Sequence, residues 1–303
     1  MRPTTVCAVL ALLVTVTACG PAPVEVPETY REQIESAWAA REARLLADTG
    51  WLSVVGLHWL EPGVHTIGSA PEADIRLPEG APPVAGALEL LGDGTVMFAA
   101  EDRADITVNG GPAGVGPLAS DADGAPDVVG AGRISFYLIE RGGRVGVRVK
   151  DPQAPARREF DGLDHFPIDP SYRVVATLDP YAEPREVEIP TVLGTPTVMV
   201  APGLLRFTLD DNEAFLEPYL DGPGSTELFI VFRDATAGHT TYGGGRYLSA
   251  DLVPGSTEVV LDFNLATNPP CAFTPHATCP LPTPENTLAV PVEAGEKFNG
   301  DGH

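Results

Sequence analysis

The chain has 303 residues and a formal net charge of −23 at pH 7. Such an acidic surface repels nucleic acid and anionic lipid headgroups, which excludes both as expected partners. Gly and Pro are frequent, at 32 and 31 residues, yet 44% of the chain is hydrophobic, a combination that argues against disorder and predicts many tight turns between short strands. Proteins of organisms that live in high salt have such an acidic composition, and so do some ordinary acidic proteins. The sequence is compatible with both interpretations.

The first residues have the features of an export signal. Arg2 gives a positive start, and residues 6–16 form an almost wholly apolar run that is too short to span a bilayer as a helix. The small residues before Cys19 resemble a bacterial lipobox, which implies cleavage before Cys19 and a lipid such as palmitate on its thiol. We therefore expect residues 1–18 to be a lipoprotein signal peptide and the exported protein to be anchored to the membrane of the cell envelope. Gly20, in place of Asp, favours the outer membrane where a cell has one.

A tether and a helix are expected next. Residues 19–28 are rich in proline, which disfavours helix and predicts an extended tether. Residues 29–49 predict an amphipathic helix that begins with a capping box from Thr29 to Glu32 and stops at Gly50. Its apolar face comprises Tyr30, Ile34, Trp38 and Leu45.

From residue 50 onward the hydrophobic period is two, and turn signals recur every eight to twelve residues. Residues 133–140 and 144–150 flank Arg141-Gly142-Gly143 and predict a hairpin. The pattern indicates an all-β fold of antiparallel β-sandwich or barrel domains with one N-terminal amphipathic helix. Prolines at 152 and 155 interrupt the strand pattern, so we expect one β domain over residues 50–150, a second over 151–298, and a tail at 299–303.

Ordered blocks along residues 35–298 resemble the DUF1684 family, whose function is unknown. They are residues 51–60 (WLSVVGLHWL), 68–69 (GS), 232–236 (FRDAT), 242–247 (YGGGRY), 262–264 (DFN), 268–273 (NPPCAF), 279–282 (CPLP), 285–286 (EN) and 294–297 (AGEK). The resemblance implies a shared fold and a region of interest at the C-terminal end, and it implies no activity.

A second resemblance concerns residues 60–112, where GVHTIGS, ADIRL and VNG are similar to segments of a forkhead-associated β-sandwich. Phosphothreonine readers of that type have an arginine after the Ile-Gly pair, and this chain has Ser69 there. Without a guanidinium to bind phosphate at that place, we expect the shape of such a domain without its phosphopeptide binding.

Residues 242–286 concentrate the polar groups from which a β scaffold builds a ligand pocket on its loops. The candidate ligand-binding residues are Tyr242, Arg246, Asp262, Asn264, Asn268, His276, Glu285 and Asn286. Arg246 follows three glycines, whose amides can turn toward an anion. The alternative is structural, with Arg246 paired inside the fold to Asp262 or Glu285.

Cys271 and Cys279 allow two interpretations. In an exported protein they predict a disulfide that closes a nine-residue loop. With His276 they also give C-x4-H-x2-C, three ligands of the kind that catalytic zinc uses, although the spacing lacks the usual close cysteine pair. We expect the disulfide, and we expect neither a metal nor a cofactor.

Two other polar groupings are expected to be structural. Residues 120–127 bunch carboxylates around a glycine, but the calcium-loop pattern is incomplete, so we expect a solvated acidic turn. His58 and His65 flank a predicted hairpin turn, where their offset keeps them from facing each other directly.

These patterns favour a lipid-anchored envelope protein that is a non-catalytic β module and binds an unknown small molecule or another envelope protein. One alternative is an envelope hydrolase or metal-assisted enzyme that uses Arg246, His276 and Glu285. Another is an assembly module that contacts other proteins. No G-x-S-x-G nucleophile motif occurs in the sequence.

Overall fold

The computed structural model describes residues 27–220, 222, 224–298 and 300. The predicted signal peptide, Cys19 and nearly all of the predicted tether lie outside the described residues, as does the tail apart from Gly300. Within the described part the chain forms 18 strands, two α-helices and several short 3₁₀ turns. The predicted all-β fold class with an N-terminal helix is confirmed.

Helix α1 spans Glu28–Leu46 and differs from its prediction at both ends. Pro27 is the residue that precedes the helix, and no side chain caps it, so the predicted capping box at Thr29 is wrong. The reason is that the amides of Tyr30 and Arg31 already bond to the Pro27 carbonyl, which places Thr29 inside the first turn. Gly50 follows the helix by several residues with a φ of −70°, so it is not a left-handed helix stop.

The predicted face of α1 packs against the second half of the chain. Ile34 and Leu45 are buried. Trp38 donates from Nε1 to the carbonyl of Asn264 at 2.8 Å, and the Tyr30 hydroxyl donates to Asp262 at 2.8 Å. In the part of the chain that the structure describes, no helix has both the length and the hydropathy needed to cross a bilayer.

The first half of the chain contributes eleven strands. They are β1 (Val54–Trp59), β2 (Gly63–Gly68), β3 (Ile75–Arg76), β4 (Gly86–Leu90), β5 (Val96–Ala100), β6 (Ile106–Val108), β7 (Gly111–Pro112), β8 (Val115–Leu118), β9 (Val129–Ala131), β10 (Ile134–Arg141) and β11 (Arg144–Lys150). They form a six-stranded sheet of order β1-β11-β10-β9-β6-β7 and a five-stranded sheet of order β3-β2-β4-β5-β8. The two sheets pack face to face, with Phe98 of one against Phe136 of the other at a ring distance of 5.9 Å.

Two turn predictions in this half have opposite outcomes. The hairpin β10–β11 is confirmed, and its two loop residues Gly142 and Gly143 both have positive φ, as a tight type I′ turn requires. The hairpin predicted between His58 and His65 is wrong. β1 pairs with β11 and β2 pairs with β4, so the turn at Gly63 carries the chain from one sheet to the other.

The two halves are joined by a short segment that includes α2 (Pro155–Arg158), a helix that the sequence pattern did not predict. The second half forms β12 (Arg173–Ile189), β13 (Thr197–Leu209), β14 (Asn212–Leu216), β15 (Tyr219–Leu220), β16 (Glu227–Phe232), β17 (Arg246–Asp251) and β18 (Glu258–Asp262). These give a four-stranded sheet of order β14-β13-β12-β18 and a three-stranded sheet of order β15-β16-β17. Their shared core is aromatic, with Phe263 against both Phe207 and Phe232.

Residues 263–298 have almost no regular structure and lie along these sheets. The chain passes the end of β16, where the amide of Arg233 bonds to the carbonyl of Asn286 and the amide of Leu288 bonds to the carbonyl of Arg233. Within this segment, residues 268–282 are rich in proline and are called the proline loop below. The proline loop lies between the two halves of the molecule, because Thr274 donates to the carbonyl of Val54 in the first half.

Candidate ligand-binding site

Arg246, the first residue of β17, is buried inside the second half with a relative exposure of 1%. Its Nη2 donates to Asp234 Oδ2 at 2.8 Å and to the carbonyl of Val292 at 2.8 Å, and its Nη1 donates to the carbonyl of Ala294. Burial lowers the pKa of Arg246, and the charge of Asp234 opposes this shift. The guanidinium is therefore held by internal groups.

The internal partner of Arg246 differs from the two that the sequence suggested. Asp262 accepts from Tyr30 instead, and Glu285 is exposed at the surface. The β-pairing explains the difference, since Phe232 lies opposite Arg246 and places Asp234, two residues later, beside the guanidinium.

Close packing explains why the residue directly before Arg246 is a glycine. Gly245 has a φ of +90°, and a Cβ on this residue would lie 2.6 Å from the carbonyl oxygen of Phe232 and 2.5 Å from Pro282. Its amide bonds to the carbonyl of Tyr242 at 3.0 Å, which closes a turn into β17. Close packing of backbone explains the glycine at this position.

The three candidate asparagines are buried, and each binds backbone groups. Asn264 accepts from the amide of Asp169 and donates to its carbonyl, at 3.0 and 2.9 Å. Asn268 donates to the carbonyl of Lys297 at 2.8 Å. Asn286 makes three such bonds to Glu217 and Val231. These side chains satisfy the backbone of an irregular segment, as buried polar groups must.

The structure does not bring Arg246, His276 and Glu285 together. His276 is half-buried, Glu285 is exposed, and among the described residues no hydrogen bond or ion pair joins any two of the three. Nor does the described part of the chain contain a group of three or more His, Cys, Asp or Glu side chains arranged to hold a metal ion.

Cys271 and Cys279 are buried next to each other, and no disulfide joins them in this structure. The amide of Cys271 donates to Cys279 Sγ at 3.1 Å. The hydrogen bond with Cys271, together with burial, raises the pKa of the Cys279 thiol. Tyr242, another candidate residue, donates to the carbonyl of Cys271 at 3.3 Å. The disulfide of the exported protein stays a prediction.

The proline loop lines a cavity of about 500 Å³ between the two halves of the molecule. The first half contributes the β10–β11 turn with Glu140 and Arg141, and the second half contributes Met199, Phe229 and Ser249. The loop closes one side with Thr278 and Pro280. The walls therefore come from both halves of the molecule and include apolar and polar groups.

A smaller recess of about 190 Å³ adjoins this cavity and shares Arg141, Thr278 and Pro280 with it. Arg148 of β11 lies in its wall with a relative exposure of 3%. Its Nε has no hydrogen-bond partner, and its one hydrogen bond among the described residues is a long one, from Nη2 to Thr278 Oγ1 at 3.4 Å. The guanidinium instead lies over the ring of Trp51 at 5.0 Å, with Tyr137 at 6.0 Å.

Basic residues interact electrostatically with Arg148, although the chain as a whole is strongly acidic. Burial, followed by the charge of Arg148, lowers the pKa of Lys150. Burial also lowers the pKa of His276, and the positive charges of His58 and Arg148 add to that effect. In the recess itself the charged residues are Arg141 and Arg148, and since Arg141 is paired with Asp121, the unpaired positive charge there is that of Arg148.

The acidic turn at residues 120–127 is less solvated than predicted. Asp121 forms an ion pair with Arg141 at 2.7 Å and accepts the amide of Glu140. Asp127 accepts the amide of Ala119, and the pKa of its carboxyl is lowered by that bond and by a second from Asn109. These carboxylates hold the loop against β10 and thereby position Arg141 at the cavity.

Fold and site together define a protein of two packed β domains with a ligand-sized cavity between them. Residues 158–297 match the family described as "Protein of unknown function (DUF1684)". The uncharacterized protein from gene locus rrnAC0354 of Haloarcula marismortui, solved by solution NMR, is 36% identical to this chain. That similarity covers 48% of this chain and 82% of the other, with a TM-score of 0.41. The similarity to the DUF1684 family model therefore lies in the second half of the chain.

The family match is narrower than the sequence resemblance suggested, since it begins at residue 158 and leaves the block at residues 51–60 outside. Another solved structure with similarity to the chain is the FHA domain of FhaA, in a crystal structure with the intracellular domain of Rv3910. It is 23% identical and covers 31% of this chain and 97% of that domain, with a TM-score of 0.22. No curated protein sequence matches the chain at a significant level.

Proposed function

We propose that this protein is a lipid-anchored cell-envelope protein that binds a small molecule in the cavity between its two β domains, without catalysing a reaction on it. The observation that carries the proposal is the cavity of about 500 Å³ with its adjoining recess. Small-molecule sites usually have volumes of about 300–1,000 Å³ and lie preferentially at domain junctions. The cavity fits both expectations.

The composition of the walls also supports binding. Met199 and Phe229 give apolar contact area, while Thr195, Ser249 and Thr278 supply hydroxyl groups that fix the orientation of a ligand. The proline loop is held to both halves, since Thr274 donates to the carbonyl of Val54 in the first half and the Tyr247 hydroxyl of the second half donates to the carbonyl of Pro280. Because this wall is already fixed, it loses little conformational entropy when a ligand binds, which favours affinity.

Blocking the cavity tests the proposal. Ser249→Trp introduces a large ring from an exposed position of β17 that faces the cavity, so we expect it to abolish ligand-induced stabilisation. The measurement is a thermal-shift screen of the purified protein against small metabolites, repeated with the variant. Thr208→Trp is the control, because Thr208 is exposed on β13 outside the cavity lining. Stabilising compounds that act equally on all three proteins would contradict a site in this cavity.

Export and lipid attachment rest on the sequence alone, through the apolar run and Cys19. We expect Cys19→Ala to move the expressed protein from the detergent phase to the aqueous phase in a phase-partition experiment. Cys7→Ala, which changes a cysteine inside the predicted signal, is the control and should leave partitioning unchanged. Detergent partitioning that survives the loss of Cys19 would refute the lipid anchor.

A further inference from the structure

Arg148 is the exception among the buried arginines that the structure describes. Arg246, the other buried arginine, is paired with Asp234, and the partly buried Arg41 is paired with Glu296. No carboxylate among the described residues lies within 4.0 Å of the Arg148 guanidinium, although the residue has a relative exposure of only 3%. Its Nε is buried and has no hydrogen-bond partner.

An unpaired buried charge destabilises a fold, because the protein replaces neither the water nor the counter-ion that the charge has lost. The rings of Trp51 and Tyr137 offset part of this loss through cation–π contact. They supply no hydrogen-bond acceptor in the plane of the guanidinium, where an oxyanion binds most strongly. An anion that enters the recess would supply one.

The basic groups near Arg148 supply no counter-ion for it. Lys150 on the same strand has its pKa lowered by burial and by the charge of Arg148, and the pKa of His276 in the proline loop is lowered in part by the same charge. On β1, burial lowers the pKa of His58. The residues that line the recess include Arg141 and Arg148 and, among the described residues, no carboxylate, so the recess contains no internal counter-ion for Arg148.

We infer that Arg148 anchors the carboxylate group of a small organic monoanion, whose uncharged body occupies the larger cavity. This rests on the proposed function, since it assigns a ligand class to the same cavity. A single free guanidinium matches a single negative charge, because Arg141 beside it is already paired with Asp121. Glu140 and Glu227 line the larger cavity and would repel a second negative charge on the body of the ligand.

Matched ligand pairs test the inference on the unaltered protein. The probes are acetate, hexanoate and benzoate, each compared with its neutral amide, in thermal-shift and NMR titrations at constant ionic strength. We expect at least one carboxylate to bind about tenfold more tightly than its amide, with shifts at the Trp51 indole and at Thr278. Equal affinities within every pair would overturn the inference.

Arg148→Met then separates anion binding from a structural role. It removes a buried charge that lacks a partner, so the unliganded variant should melt at or above the wild-type temperature while the preference for carboxylate over amide disappears. Arg144→Met is the control, since Arg144 lies on the same strand, is exposed and stacks on Trp59. An Arg148→Met variant that keeps the carboxylate preference would also overturn the inference.

The outcomes distinguish this inference from the proposed function. If carboxylates and amides bind equally and Ser249→Trp abolishes both, the cavity is a ligand site and the assignment to a carboxylate is wrong. If no compound of either class, nor any in the wider screen, stabilises the wild-type protein, both proposals fail. A carboxylate preference that Arg148→Met removes and Arg144→Met retains supports both.

Discussion

Replacing Arg246 by Ala should lower the free energy of unfolding by about 3–5 kcal/mol, the usual result of breaking a buried ion pair from one side. The substitution leaves Asp234 buried with a side-chain exposure of 1% and without its cation. Asp234 would keep its bonds from Thr236 and from the amide of Val292, but neutral donors do not replace the guanidinium charge. The carbonyls of Val292 and Ala294 would lose their donor as well.

Arg206→Ala is the matched control for this experiment. Arg206 forms an ion pair with Asp179 at 3.0 Å, but both side chains are about half exposed, at 45% and 52%. Exposed pairs contribute about 0–1 kcal/mol, so urea unfolding should separate the two variants clearly. Equal losses of stability in the two variants would mean that the Arg246–Asp234 pair contributes no more than a surface contact.

The partner of Arg246 shows what sequence reasoning can and cannot reach. The glycine run and the lone arginine were sufficient to predict an ordered guanidinium, because such a side chain needs a fixed anionic group. The choice of Asp234 over Asp262 depends on the β16–β17 register, in which Phe232 lies opposite Arg246. Register is a property of the assembled sheet, and no local pattern in either strand encodes it.

Elements with a strong local signal were predicted well. The Gly142-Gly143 turn requires positive φ at both positions, and this requirement alone predicted the β10–β11 hairpin. The apolar face of α1 was also predicted, while the surface that covers it was not, since the contacts of Trp38 and Tyr30 with residues 262–264 span most of the chain.

Arg148 was missed for a related reason. In β11, Val145, Val147 and Val149 alternate into the core of the first sandwich, so period-two alternation places Arg148 on the opposite face, where water is the expected neighbour. The proline loop covers that face instead, with Thr278 in contact with the guanidinium. The alternation of residues along a strand predicts on which face of the sheet a side chain lies. Which part of the chain covers that face depends on the tertiary fold.

Asn286→Ala should be the other strongly destabilising substitution, with a loss of about 2–4 kcal/mol, because it removes three hydrogen bonds from a fully buried site. Asn286 Nδ2 donates to the carbonyls of Glu217 and Val231, both at 2.9 Å, and its Oδ1 accepts the amide of Glu217 at 2.7 Å. One side chain therefore ties the C-terminal segment to the residue after β14 and to β16.

The exposed Asn212 provides the control for this substitution, since its side-chain amide donates one hydrogen bond, to the nearby carbonyl of Asp210 at 2.7 Å. Asn212→Ala should change stability by no more than about 0.5 kcal/mol. Asn286→Asp should be at least as destabilising as Asn286→Ala, because it keeps the acceptor for Glu217 but places a carboxylate oxygen against two carbonyl oxygens. Urea unfolding of the four proteins measures these differences. Should Asn286→Ala unfold at the same urea concentration as Asn212→Ala, the C-terminal segment would be held by its apolar contacts rather than by this side chain.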